Sequence, residues 1–235
     1  MVAVVLAGGK GTRLRPYTVT IPKPLVPVGE SSILEIILEQ LAKSGVKDIR
    51  LAVNHKADLF MAFFGDGSKW GVDISYSVED RPLGTIGAVK AISDLPDRFI
   101  VMNGDILTDL DTRALWAAHA GGGHEITIVM CKRSVKIDFG VIDVAGGRVT
   151  RFQEKPIEHF YVSSGIYVFE RGVLDSVPAN SFYGFDSLIL DRLANGLPCH
   201  VYEHSGYWLD IGRPEDYETA NREISGFLQK TGLRV

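Results

Sequence analysis

The feature that most constrains this chain is a break in its first dozen residues. The apolar, largely β-branched run Val2 to Leu6 gives way to Ala7-Gly8-Gly9-Lys10-Gly11, with three glycines in four positions. Such a run is a buried strand, and the glycines are a tight loop at its end. Without Cβ atoms the main chain of Gly8, Gly9 and Gly11 can press directly against a ligand. Successive free N–H groups then form a concave anion site. Lys10, Arg13, Arg15 and Lys23 follow closely and would add full positive charge, so the expected guest is a polyphosphate. Two common templates fail here. Position 14 is Leu14, where G-x-G-x-x-G needs its third glycine, and no G-x-x-x-x-G-K-[ST] occurs, so a dinucleotide fold and a P-loop ATPase are both disfavoured.

Downstream, apolar stretches of strand length alternate with helical ones. Ser32-Ile33-Leu34-Glu35 is a capping box opening a helix whose apolar stripe is Ile33, Ile36, Ile37 and Leu41, stopped by Gly45. Strands are predicted at 49–53, 72–78, 99–102 and 125–131, with helices at 58–64, 85–93 and 111–120 between them. This rhythm predicts an α/β fold, a Rossmann-like three-layer sandwich with a mainly parallel mixed sheet whose ligands gather at the carboxyl ends of the strands. From 138 to 169 three β-rich runs are separated by turns rather than helices, which predicts added antiparallel strands in the second half. A helix at 185–194, a strand at 200–202 and a closing helix at 213–228 complete the pattern.

The 235 residues read as a single domain, 1–235. A net charge of −4 argues against electrostatic nucleic-acid binding. The two cysteines, Cys131 and Cys199, lie far apart in apolar runs and read as core residues rather than a disulfide or zinc site. With neither a bilayer-length apolar run nor a basic leader, the expectation is a cytoplasmic protein with no membrane partner.

Two carboxylates stand out. Asn103-Gly104-Asp105 follows an apolar strand, and Trp208-Leu209-Asp210-Ile211-Gly212 sets Asp210 after another. Two distant acids meeting at one place is a common way to hold a magnesium ion completed by water and phosphate. Glu154-Lys155 could hold sugar hydroxyls and a phosphate together. The histidines His55, His119, His124, His159, His200 and His204 match no motif. His119 and His124, flanking Gly121-Gly122-Gly123, are expected to be solvated.

The string Leu6-Ala7-Gly8-Gly9-Lys10-Gly11-Thr12-Arg13-Leu14-Arg15-Pro16, with Ile21-Pro22-Lys23-Pro24-Leu25 after it, resembles the sugar-1-phosphate nucleotidyltransferase family, and in particular mannose-1-phosphate or heptose-1-phosphate guanylyltransferases. The resemblance implies a nucleotide-binding half (1–131) and a sugar-phosphate-binding half (132–235), with the loop from Leu6 to Thr12 wrapping a nucleoside triphosphate, Arg13 on the leaving pyrophosphate and Lys23 on the phosphates. It implies Mg²⁺ bound by Asp105 and Asp210, sugar hydroxyls on Glu154, and the sugar phosphate on Lys155. Gly140 matches the glycine that lets the sugar approach backbone. At Ser163 the family usually carries asparagine, so the hydroxyl read there is left open. In Glu79-Asp80-Arg81-Pro82-Leu83-Gly84-Thr85, Gly84 matches the glycine beneath the base, with Pro82 and Thr85 beside it. Where thymidylyl and uridylyl members tend to carry glutamine this chain has Glu79, an acceptor-only group suited to the N1–H and N2–H donors of guanine.

The substrates so implied are GTP and a hexose or heptose 1-phosphate, joined by in-line displacement with release of pyrophosphate. The alternatives are thymidylyl or uridylyl transfer to glucose 1-phosphate, a glycosyltransferase using Asp109-Leu110-Asp111 as a D-x-D metal motif, and a non-catalytic regulatory homologue. A homo-oligomer is left open.

Overall fold

The computed structural model describes residues 1–54 and 56–234. His55, one of the histidines given no role, lies outside them. The first elements are β1 (Val2–Leu6), β2 (Pro27–Val28), β3 (Ser31–Ser32), α1 (Ile33–Lys43), β4 (Asp48–Val53), α2 (Ala57–Phe64), β5 (Asp73–Val78) and α3 (Gly84–Lys90). Then come β6 (Arg98–Asn103), β7 (Ile106–Thr108), α4 (Thr112–Gly122), β8 (Ile126–Lys136), β9 (Gly140–Ala145) and β10 (Arg148–Glu154). The chain closes through β11 (Ile157–Glu170), α5 (Phe185–Ala194), β12 (His200–His204), β13 (Trp208–Asp210) and α6 (Pro214–Thr231).

A seven-stranded sheet in the order β12-β8-β11-β6-β1-β4-β5 forms the centre. β1 pairs in parallel with β4 and β6, β4 with β5, and β12 with β8, whereas β11 runs antiparallel to both β6 and β8. The sheet is therefore mainly parallel with one reversed strand. Both faces are covered, which is why β1 and β6 at its centre read as nearly continuous apolar runs. One core packs Ile33, Ile36, Ile37 and Leu41 of α1 with Val5, Ile49 and Ile100. The other packs Ile86 and Val89 of α3 with Val4, Phe99, Val101 and Phe169.

The capping box of α1 is formed as expected. Ser32 Oγ accepts from the Glu35 N–H at 3.2 Å, and the Glu35 carboxylate accepts from the Ser32 N–H at 2.9 Å. This satisfies two of the amide donors that a helix start leaves over. The main departures lie in the second half. β8 and β11 extend well beyond the predicted segments and pair along their length, with a register shift between Ser163 and Tyr167. β9 and β10 form a separate two-stranded ribbon instead of joining the central sheet. Its Ile142, Val144, Val149 and Phe152 remain exposed.

Two expectations are corrected here. His119 is fully buried rather than solvated: its ring meets Thr127 Oγ1 at 2.8 Å and Glu170 Oε1 at 3.3 Å, and burial lowers its pKa. The glycine turn faces water, but the preceding helical turn points His119 inward, where Thr127 and Glu170 replace the lost hydration. His124 is half-buried and stacks on His200 with ring centroids 3.5 Å apart. Cys131 is buried as expected, but Cys199, in the loop before β12, is only partly so. Among the described residues no helix is long and apolar enough to cross a membrane.

Candidate active site

The parallel strands around β1 lead out in both directions. β4 and β5 lie on one side, and after α3 the chain returns to place β6 on the other. The crevice at the carboxyl end of such a reversal is where an open α/β sheet binds its ligand. A cavity of about 520 Å³ lies there, bordered by the ends of all four strands through Leu6, Asn54, Glu79 and Asn103. Ala7, Gly8, Gly9 and Lys10 line it from the glycine loop, and Pro82, Gly84 and Thr85 from the start of α3. Lys23, Gly104, Asp105 and Phe182 also border it.

Each glycine has a distinct steric reason. Gly9 has nothing within 4 Å of an added Cβ, so only a ligand would be obstructed there. Gly8 would meet the Glu79 carboxylate at 3.1 Å. Gly11 adopts φ 59°, and its carbonyl accepts from Thr18 Oγ1 at 2.7 Å, fixing the end of the loop. Gly11, Thr12 and Arg13 lie past the cavity lining, and the Arg13 side chain is exposed. Its charge nevertheless reaches Asp210, where it slightly opposes the rise in pKa that burial causes.

The two aspartates selected from sequence come together. Asp105 follows β6, and β7 pairs antiparallel with β13, setting Asp210 opposite Ile106, while the Ile211 N–H donates to the Asp105 carbonyl at 3.0 Å. Lys23, buried from the 3-10 turn after Pro22, sends its ammonium to both acids, 2.5 Å from Asp105 Oδ2 and 3.9 Å from Asp210 Oδ1. Burial raises the Asp210 pKa, and the neighbouring Asp105 charge raises it further. Asp105 Oδ1 is buried and has no hydrogen-bond partner among the described residues. A pair of acids with an unsatisfied buried oxygen fits a hard divalent cation. Among the described residues no group of three or more His, Cys, Asp or Glu side chains is arranged to hold a metal. A cation here would take its remaining ligands from water and phosphate.

Glu79 is half-buried and accepts the Leu83 N–H at 3.0 Å; burial raises its pKa, and the Leu83 bond opposes that rise. It is thus held in place at the cavity wall rather than freely solvated. Gly84 has φ 74°, and an added Cβ would lie 2.8 Å from the Tyr183 carbonyl oxygen. Close packing of the 181–184 segment therefore already requires a glycine there. Thr85 Oγ1 accepts from the Phe185 N–H at 2.8 Å.

Gly140, Glu154, Lys155 and Ser163, the residues expected to hold the sugar phosphate, stand apart from this cavity. Gly140 and Glu154 are register partners on the ribbon, and an added Cβ at Gly140 would meet Phe152 at 2.7 Å and the Glu154 carboxylate at 3.1 Å. Lys155 follows with a left-handed φ of 45°, its N–H bonded to the Phe139 carbonyl at 3.3 Å. Both side chains are exposed. Ser163, at the irregularity of β11, donates to the Tyr167 hydroxyl at 3.0 Å. Nearby, Gly165 with φ 78° lets β11 approach Asn103, whose amide nitrogen would lie 2.6 Å from an added Cβ. Trp208 donates to the Ser164 carbonyl at 2.9 Å, so β13 with Asp210 and β11 with Ser163 are tied together.

The D-x-D alternative loses its acids to structural duty. Asp109 accepts from the Tyr207 N–H at 2.7 Å and pairs with Lys230 at 2.6 Å, while Asp111 caps α4 through the Arg113 and Ala114 N–H groups. Phe182, exposed at the cavity, carries no sequence signal of its own and was not among the predicted residues.

A family model described as Nucleotidyl transferase matches residues 2–226. The chain is 34% identical to a UTP–glucose-1-phosphate uridylyltransferase of Synechocystis sp., an alignment that covers 100% of this chain and 67% of that protein. It is equally, 34%, identical to a mannose-1-phosphate guanyltransferase of Neurospora crassa, again over 100% of this chain and 67% of the relative. Among solved structures it is similar to HddC from Yersinia pseudotuberculosis, with a TM-score of 0.75 and 26% identity over 95% of this chain and 99% of the other. The same protein complexed with GMP-PN matches with a TM-score of 0.73 and 27% identity over 95% and 99%.

Proposed function

This chain belongs to the nucleotidyl transferase family, and from that premise we propose that it joins a nucleoside triphosphate, with GTP favoured, to a hexose or heptose 1-phosphate, releasing pyrophosphate. The observation that carries this reading is the meeting of Asp105 and Asp210 on the Lys23 ammonium, at the edge of a cavity walled by bare glycine backbone. Both named relatives act on a sugar 1-phosphate, and the chemistry of the site suits the phosphate side of such a reaction.

In the proposed reaction a sugar-phosphate oxygen attacks the α-phosphorus, and the bond to pyrophosphate breaks in line. The attacking phosphate is already ionised near neutral pH, so the chain need supply no general base. Its work is positioning and charge neutralisation. The Gly8 and Gly9 backbone cradles the phosphates, Lys23 and Arg13 offset the charge that grows on pyrophosphate, and Lys155 with Glu154 holds the sugar phosphate and its hydroxyls. Asp105 and Asp210 would hold a divalent cation, Mg²⁺ in this reading, which would further neutralise phosphate charge. Lys155 and Glu154 lie on the projecting ribbon, so this role requires the sugar phosphate to sit between the ribbon and the nucleotide cavity.

For the base, the half-buried acceptor Glu79 favours guanine, and the likeness to a neighbour solved with GMP-PN agrees. Uridylyl transfer to glucose 1-phosphate is the second reading, because the Synechocystis relative is as similar as the Neurospora one. A grid of nucleoside triphosphates against sugar 1-phosphates, scored by pyrophosphate release, tests both. The expected best pair contains GTP, and Glu79→Gln should move preference toward UTP or dTTP. An unchanged base preference in that variant removes Glu79 from base reading, and no pyrophosphate from any pair removes the proposed activity.

A further inference from the structure

Phe182 is 74% exposed, although the residues flanking it are hydrogen-bonded to the segment around Gly84. The Tyr183 N–H donates to the Leu83 carbonyl at 2.8 Å, and the Tyr183 carbonyl accepts from the Ile86 and Gly87 N–H groups at 3.1 and 3.0 Å. Arg81 holds the Asn180 carbonyl at 2.5 Å, and Tyr183 packs against the core with Phe185. Gly84 and Gly87 permit this closeness: added Cβ atoms would lie 2.8 Å from the Tyr183 oxygen and 2.7 Å from the Ser181 oxygen. The segment from Asn180 to Tyr183 is thus fastened to the segment that bears Glu79, Pro82 and Thr85. It presents one flat apolar ring to the same cavity.

An aromatic ring held on a fixed backbone and left in water is prearranged to bind something flat, because little conformational freedom is lost when it is covered. Resting on the reading of this cavity as the nucleotide site, we propose that Phe182 stacks on the nucleobase. Stacking is tolerant of base identity, since every base has a π-face. Phe182 would therefore strengthen binding of all nucleoside triphosphates about equally, while Glu79 selects among them.

The test is equilibrium binding of GTP, UTP and inorganic triphosphate to the wild-type chain and to Phe182→Ala and Phe182→Trp. The Ala variant should bind GTP and UTP roughly 5- to 100-fold more weakly, with their ratio preserved. The Trp variant should bind them as tightly as wild type, and inorganic triphosphate, which has no base, should bind all three alike. Unaltered GTP affinity in Phe182→Ala would overturn the proposal, as would an equal loss of inorganic triphosphate binding or a change in GTP/UTP ratio. Because the readout is binding, it stays informative when pyrophosphate release fails. Wild-type protein that binds triphosphates but transfers nothing would count against the activity alone.

Discussion

Gly84→Ala puts the packing behind this site to a quantitative test. At φ 74° any residue with a Cβ is strained, and the handedness cost is roughly 1–2 kcal/mol. The added methyl would also lie 2.8 Å from the Tyr183 oxygen, 3.0 Å from its carbonyl carbon and 3.2 Å from its nitrogen. All three are backbone atoms, so no side chain can swing aside. Relief requires the 181–184 segment to move, which weakens the two hydrogen bonds from the Ile86 and Gly87 N–H groups, each contributing about 1 kcal/mol. The expected loss is about 2–4 kcal/mol. With a urea m-value of about 3 kcal/mol/M, the midpoint should fall by roughly 1 M. Gly9→Ala is the matched control, because its Cβ would meet nothing within 4 Å and the residue has no positive φ. It should leave the midpoint unchanged while raising the KM for the nucleoside triphosphate. A Gly84→Ala midpoint within about 0.2 M of wild type would refute the steric argument, and a Gly9→Ala variant with ordinary nucleotide KM would refute the close approach of ligand to that backbone.

Three further outcomes are expected. Replacing Lys23 by Ala removes the ammonium shared by Asp105 and Asp210, and kcat for pyrophosphate release should drop by roughly 10²–10³; a loss of less than threefold would deny Lys23 a part in neutralising the reacting phosphates. Asp210 has a folded pKa raised above its ordinary 3.8 by burial and by Asp105, so its protonated form favours the fold. Its contribution is complete below the unfolded pKa and is lost as pH rises through the folded value; urea denaturation across that window without divalent cation should show the decline, and Asp210→Asn should flatten it. Lys155→Ala should raise the KM for the sugar 1-phosphate about tenfold or more while leaving nucleotide affinity alone, since Lys155 is exposed on the ribbon and outside the cavity proposed for the nucleotide; equal losses for both substrates would count against that division.

The mainly parallel order of strands and helices, the glycine loop at the end of β1 and the capping box of α1 follow from residues a few positions apart. Local spacing, turn chemistry and hydrophobic period are enough for such features. Selecting Asp105 and Asp210 needed only their places after apolar runs, together with a long family-like string. Their common neighbour Lys23, the inward turn of His119, the separation of the β9–β10 ribbon and the exposed ring of Phe182 depend on segments far apart in the chain. A histidine beside a glycine turn reads as solvated until Thr127 and Glu170 are known to face it. Gly84 was selected for a base, yet the Tyr183 carbonyl, 99 residues later in the chain, is what a side chain there would strike. Short-range steric and hydrogen-bonding preferences are written along the chain, whereas burial, charge proximity and close contact between distant segments exist only once the sheet brings them together.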